Sequence, residues 1–218
     1  MAIDKSRTSP LMKTGIIMLA ATFVLGIGFA GIAGISSCSV AAPLLPGGST
    51  TTTSTPTTET TQTIALKWTP AINAREASLT VNPANYDLLV AQGDSYFGYA
   101  YEIQQLTPNA SPLDNPLWAK ASTYFARAVA VKATDAPVFG DYAITLFYSG
   151  ETTAAITAGE KARTLDPTLA QNLFNLGNYY GAAGDKAKAI AAYQAYLTAA
   201  PTGELAQNAK DNIAALSK

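Results

Sequence analysis

The sequence predicts an all-α fold, an array of stacked helical hairpins. The main observation is an internal repeat with a period of 34 residues. The matching pairs are Gly150 and Gly184, Ala155 and Ala189, Ile156 and Ile190, and Pro167 and Pro201. Two further observations agree, because a divergent copy lies upstream and an amphipathic segment follows the last copy. Such a period is typical of arrays in which each hairpin buries its apolar face against its neighbours.

The two central copies run from Ala136 to Leu169 and from Ala170 to Gly203. Each places large residues, small residues and a final proline where two closely packed helices need them, since proline ends the second helix. The residues concerned are Phe139, Tyr142, Ala143, Leu146, Ala155, Ala162 and Pro167, then Leu173, Leu176, Gly177, Tyr180, Ala189, Tyr193 and Pro201. With these residues the chain resembles tetratricopeptide repeat (TPR) proteins, and the resemblance implies a scaffold that binds a protein or peptide partner.

Two positions depart from the TPR pattern. Gly159 stands where an aromatic residue is expected, so we expect close packing against it or a bend in the helix. Tyr196 stands where a small residue is expected, so its ring should point into a neighbouring surface such as the last helix.

The array is expected to cover residues 85–218, with about three repeats and a C-terminal capping helix. The divergent first copy has Leu89, Gly93 and Tyr96 in its first helix and Ala121, Phe125 and Ala128 in its second. A proline-rich loop separates these two helices. The capping helix places Leu205, Ala209, Ile213 and Leu216 on one face.

The amino-terminal part predicts a membrane attachment. Residues 1–13 carry Lys5, Arg7 and Lys13 and are expected to stay cytoplasmic, whereas an apolar run from Gly15 to Ile35 lies within segment 14–37. This segment is either a single transmembrane helix or the signal peptide of a lipoprotein. Ile35-Ser36-Ser37-Cys38 resembles a bacterial lipobox, which makes Cys38 the lipidation candidate. Both alternatives place the domain on the extracytoplasmic side of a prokaryotic cell membrane.

Residues 38–63 are predicted to form a disordered tether rich in serine, threonine and proline. Between residues 49 and 63, 12 of 15 residues are Ser or Thr, so almost no apolar surface is available to offset the entropy of ordering. A pre-domain segment, 64–84, follows. Trp68 and Ile72 could pack it onto the first hairpin, but the sequence leaves this open.

Composition argues against several classes of function. The chain has no histidine and one cysteine, and residues 39–218 hold 11 Lys and Arg against 14 Asp and Glu, a formal charge of −3. We therefore expect no cofactor, no metal site, no nucleic-acid partner and no enzymatic activity.

The TPR resemblance implies that the first helix of each hairpin lines a concave groove. The candidate groove residues are Asp87, Val90, Asp94, Phe97, Ile144, Phe147, Tyr148, Phe174 and Asn178. The alternative is that the three phenylalanines belong to the core between helices or lie under segment 64–83. Asp87 and Asp94, two turns apart, form either a solvated face or a site for a partner's Lys or Arg.

The sequence therefore predicts a membrane-tethered adaptor that binds a protein or peptide segment. One alternative is an assembly lipoprotein of a secretion, pilus or outer-membrane complex, and another is a self-associating structural envelope protein. The oligomeric state stays open.

Overall fold

The computed structural model describes residues 59–218. This part of the chain forms eight α-helices and one short 3₁₀ turn, Pro112–Asp114. The helices are α1 (Thr61–Val81), α2 (Tyr86–Leu106), α3 (Leu117–Val131), α4 (Ala136–Tyr148), α5 (Thr152–Leu165), α6 (Ala170–Ala182), α7 (Lys186–Ala199) and α8 (Ala206–Leu216). The prediction of an all-α fold is confirmed for these residues.

The predicted membrane segment, Cys38 and most of the predicted tether lie outside the described residues. Between residues 59 and 218, none of the helices combines the length and the apolar character that crossing a bilayer requires.

Three hairpins follow one another along the chain: α2 with α3, α4 with α5, and α6 with α7. Each helix also packs against the next one, and α8 closes the series against α7. The repeated glycines lie in the tight turns inside the second and third hairpins. Gly150 and Gly184 have φ of 86° and 80°, a left-handed conformation that only glycine adopts at little cost.

Small residues let the two helices of a hairpin approach. Ala121, Ala155 and Ala189 on the second helices have no exposed surface. On α2, a β-carbon added to Gly93 would lie 2.7 Å from Cε1 of Phe125. The repeat pattern therefore places its small residues at the contacts where helices lie closest.

Both departures from the TPR pattern have a packing explanation. A side chain at Gly159 would meet Cδ2 of Leu176 at 2.9 Å, and Asn172 Nδ2 donates a 2.8 Å hydrogen bond to the Gly159 carbonyl oxygen. Close packing by α6 thus explains the glycine, and α5 remains one helix through it. The hydroxyl of buried Tyr196 accepts a 3.1 Å hydrogen bond from the backbone N–H of Leu205, at the start of α8.

Helix α1 begins at Thr61, three residues before the expected boundary of the pre-domain segment. Thr60 and Thr63 form a capping box, in which each side chain bonds to the other's backbone N–H. This reciprocal pair satisfies two amide groups that a helix start leaves without partners. The last residues of the predicted tether are therefore helical.

Helix α1 packs along α2, which answers the question that the sequence left open. The Trp68 ring lies against Gly98, and its Nε1 donates a 2.9 Å hydrogen bond to Glu102. Tyr124 on α3 donates to the carboxylate of Glu76. Helix α1 thus contacts both helices of the first hairpin, α2 and α3. It occupies the position that the second helix of a preceding hairpin would take.

Candidate peptide-binding surface

The first helices of the three hairpins, α2, α4 and α6, have two sides occupied by second helices. One side faces the helix's own partner, as Gly93 faces Phe125. Another faces the preceding second helix, as Asn172 on α6 bonds to Gly159 on α5. We call the remaining side of these three helices the inner face. Helices α4 and α6 also touch each other directly.

Four of the nine predicted groove residues lie in the core. Phe97, Ile144, Tyr148 and Phe174 are buried. Phe174, for example, has its ring centroid 5.3 Å from Tyr193 and 5.5 Å from Tyr196 on the other helix of its hairpin. These rings are turned into the space between helices because burying them removes a large apolar area from water. Their burial favours the alternative in which Phe97 and Phe174 belong to the core between helices.

The buried rings form a connected series across the three hairpins. Phe97 meets Trp118 edge-on at 5.2 Å, and Trp118 lies 4.5 Å from Tyr148. The half-buried ring of Phe147 continues the series, because its centroid lies 5.9 Å from that of Tyr148 and 4.8 Å from that of Tyr179. The aromatic residues therefore form part of the packing interface between neighbouring hairpins.

The other predicted residues are more accessible. Asp87 is exposed, and Val90, Asp94 and Asn178 are half-buried. Asn178 is engaged within its own hairpin, because its side-chain oxygen accepts a 2.6 Å hydrogen bond from the Tyr193 hydroxyl. Of the predicted set, the two aspartates are the clearest polar contribution to the inner face.

Sequence reasoning missed Asp141, the most unusual residue of this face. It lies in the middle of α4, is 4% exposed, and makes no hydrogen bond with any described residue. Burial, and then the negative charges of Asp94 and Asp135, raise the pKa of its carboxyl well above the usual value. The available signal was a single charged residue in the otherwise uncharged segment APVFGDYAITLFY.

A row of polar side chains on α6 was missed as well. Gln171, Asn175 and Tyr179 follow at intervals of four residues and so share one face of the helix. Gln171 Nε2, Asn175 Nδ2 and the Tyr179 hydroxyl are buried without a hydrogen-bond partner among protein atoms of the described chain. Burial raises the pKa of Tyr179, as do the charges of Tyr148 and Asp141, so this row passes near Asp141.

The inner face is acidic. Helices α2, α4 and α6 contain no Lys or Arg. Their charged residues are Asp87, Asp94, Glu102 and Asp141. Glu102 is already bound by Lys67 and Trp68 of α1. These three helices therefore contribute only negative charge to the face.

Between residues 59 and 218, no group of three or more His, Cys, Asp or Glu is placed to hold a metal ion.

No protein-family model matches the sequence. No curated protein shows significant similarity to it.

Solved structures show the fold. The chain is similar to a crystal structure of MamA protein with 22% identity and a TM-score of 0.54, over 72% of this chain and 86% of that chain. It is also similar to TTC0263, a thermophilic TPR protein in Thermus thermophilus, with 18% identity and a TM-score of 0.51. That match covers 72% of this chain and 77% of that one. The described part of the chain thus has a TPR fold.

Proposed function

We propose that the protein is a membrane-tethered scaffold that binds a segment of a partner protein along its inner face. The observation that supports this most is the row of buried, unpartnered polar atoms of Gln171, Asn175 and Tyr179. A buried polar atom without a partner costs roughly 1–3 kcal/mol. Three such atoms on one face of a TPR helix suit a surface that a partner's main chain completes.

A polypeptide segment matches this surface better than a small molecule does. The unpartnered atoms are spread over more than two helical turns, from residue 171 to residue 179, which is about 12 Å of helix. A peptide presents a hydrogen-bonding group at every residue. It can therefore offer a hydrogen-bonding group at each of the three positions, as an extended chain does in other modes of peptide recognition.

The amino-terminal sequence supports the tether. Positive charges precede the apolar run from Gly15 to Ile35, and this run has the length of the hydrocarbon layer. We propose an extracytoplasmic domain on a prokaryotic cell membrane, held by this run or by an acyl chain on Cys38. With Cys38 acylated, the protein would belong with the assembly lipoproteins of envelope complexes.

Self-association along the array is less well supported. The outer side of α8 carries exposed Gln207, Lys210 and Asp211, and Gln207 bonds to Asp211 at 2.9 Å. Such a polar end is typical of a capping helix that stops stacking.

Site-specific photocrosslinking tests the scaffold function. A benzophenone amino acid placed at Ala182, an exposed residue at the end of the inner face of α6, should crosslink a partner in membranes of the source organism. The same group at Lys161, exposed on α5, serves as control. Partner adducts are expected from position 182 alone. Equal adducts from both positions, or none from position 182, would contradict the proposal.

Two measurements test the tether. The intact mass of the mature chain separates a protein that begins near Met1 from one that begins at an acylated Cys38. Protease added to spheroplasts should release the domain, whereas a fully protected domain would contradict the orientation.

A further inference from the structure

We propose that the partner segment presents a lysine or arginine side chain that binds the carboxylate of Asp141. This inference rests on the proposed function and specifies the chemistry of the partner at the same surface.

The position of Asp141 is the first argument. A carboxylate that is buried to this degree normally has an ion pair or several hydrogen bonds, because desolvating a charge is costly. Asp141 has neither within residues 59–218. It is therefore a strong acceptor that the described chain itself leaves unused.

The surroundings of Asp141 are the second argument. Asp94 on α2 and Asp135, just before α4, both add negative potential. Asp135 is itself occupied, because it accepts hydrogen bonds from Tyr86 at 2.7 Å and from Lys132 at 3.0 Å. Lys132 thus pairs with Asp135, and it also lies 4.8 Å from the centre of the Tyr86 ring.

Helix α6, which packs on the other side of α4, adds no charge to balance Asp141. Its sequence AQNLFNLGNYYGA is uncharged. The unpartnered Asn175 Nδ2 and Tyr179 hydroxyl share one face of this helix, and the Tyr179 ring lies 4.8 Å from that of Phe147 on α4. A partner chain bound to these groups would run past Asp141 and bring a long basic side chain within reach.

Charge complementarity indicates that the partner group bound to Asp141 is a cation. An ammonium or guanidinium group supplies the charge that α2, α4 and α6 lack, together with the N–H donors that the carboxylate needs. An acidic or uncharged segment would leave Asp141 unpaired and more deeply buried. Burial and the charges of Asp94 and Asp135 raise the pKa of Asp141. We therefore expect the partner segment to bind more weakly in acid, where this carboxyl is protonated.

Selection of random 12-residue peptides on phage against the full chain in detergent tests this inference. Asp141→Asn keeps the shape of the side chain and removes its charge. Asp114→Asn, a matched change in the exposed 3₁₀ turn, serves as control. Thermal melting by circular dichroism verifies that all three proteins are folded.

Peptides retained by the wild type should carry Lys or Arg at one fixed position. They should bind Asp141→Asn at least roughly tenfold more weakly and bind Asp114→Asn as they bind the wild type. Replacing the selected Arg by citrulline, its neutral isostere, should weaken binding to a similar degree.

Peptides that show no basic residue, or that bind Asp141→Asn equally well, would overturn this inference while the scaffold function stands. A selection that retains no peptide at all would contradict both.

Discussion

The ring of Tyr193 on α7 lies against the backbone of Gly177 on α6 and fills the space where a side chain would begin. Gly181, one turn later on the same helix, has no atom beyond its chain neighbours and its own helix backbone within 4 Å of the position that a β-carbon would take. The two glycines therefore differ in the presence of a neighbouring ring, and they provide a matched pair.

Gly177→Ala should destabilise the protein by about 1–3 kcal/mol, because the added methyl group forces the Tyr193 ring out of its contact. Gly181→Ala should be neutral or raise the free energy of unfolding by up to ~1 kcal/mol, the helix propensity of alanine over glycine. Urea denaturation of both variants measures the difference. Equal effects would contradict the packing of α6 on α7.

Phe174→Ala should lower the free energy of unfolding by about 3–5 kcal/mol, as truncation of a buried ring does. The reason is its position between Tyr193 and Tyr196 with no exposed surface. Asn178→Ala, which removes one hydrogen bond to the Tyr193 hydroxyl, should cost only about 1 kcal/mol. Unchanged thermal melting of Phe174→Ala would contradict the core position and favour a role of Phe174 in the groove.

Asp141 should make stability depend on pH in a defined direction. Since its pKa is raised in the folded state, the folded chain holds the proton more tightly than the unfolded chain does. The free energy of unfolding should therefore fall as pH rises from the usual carboxyl range, about 4, through the raised pKa.

Asp141→Asn removes this dependence and should melt at a higher temperature than the wild type at neutral pH. The control Asp114→Asn should leave the pH profile unchanged. A neutral-pH melting temperature that drops in Asp141→Asn would show that the carboxylate stabilises the fold and has a partner there.

Tyr124→Phe should loosen α1. The hydroxyl of Tyr124 joins α3 to Glu76 on α1, and losing such a bond costs about 1 kcal/mol. Amide hydrogen exchange should accelerate in residues 61–81 and stay unchanged in α7. Tyr180→Phe removes a comparable bond to Glu160, 2.8 Å long, between α6 and α5. It should leave exchange in α1 as it was.

The central hairpins could be predicted from the sequence because each repeat contains the residues that determine its own turn and helix contacts. Gly150 and Gly184 mark the turns, and the alanines at the helix contacts follow the same spacing. Helix α1 was harder to predict. Its apolar residues do not mark one face, because Ile64 and Leu79 are buried whereas Leu66 and Val81 are exposed. Its first turn is built from threonines that continue the low-complexity stretch.

The exposure of the candidate groove residues was harder to predict than the fold. The repeat pattern identifies which helix faces inward but not how far each ring rotates into the core, and Tyr148 and Phe174 turned out to be buried. Asp141 escaped attention because its environment depends on burial between helices and on Asp94, which lies on a different helix. Electrostatic neighbours of this kind are set by tertiary packing and leave no local pattern.

Both tryptophans of the chain, Trp68 and Trp118, lie at the amino-terminal end of the array, on α1 and α3. Intrinsic tryptophan fluorescence therefore reports on that end, whereas the third hairpin contributes only tyrosine emission. In a repeat array each unit is stabilised mainly by its nearest neighbours. A fluorescence transition that separates from the circular dichroism transition would thus measure directly how far the two ends of the array unfold independently.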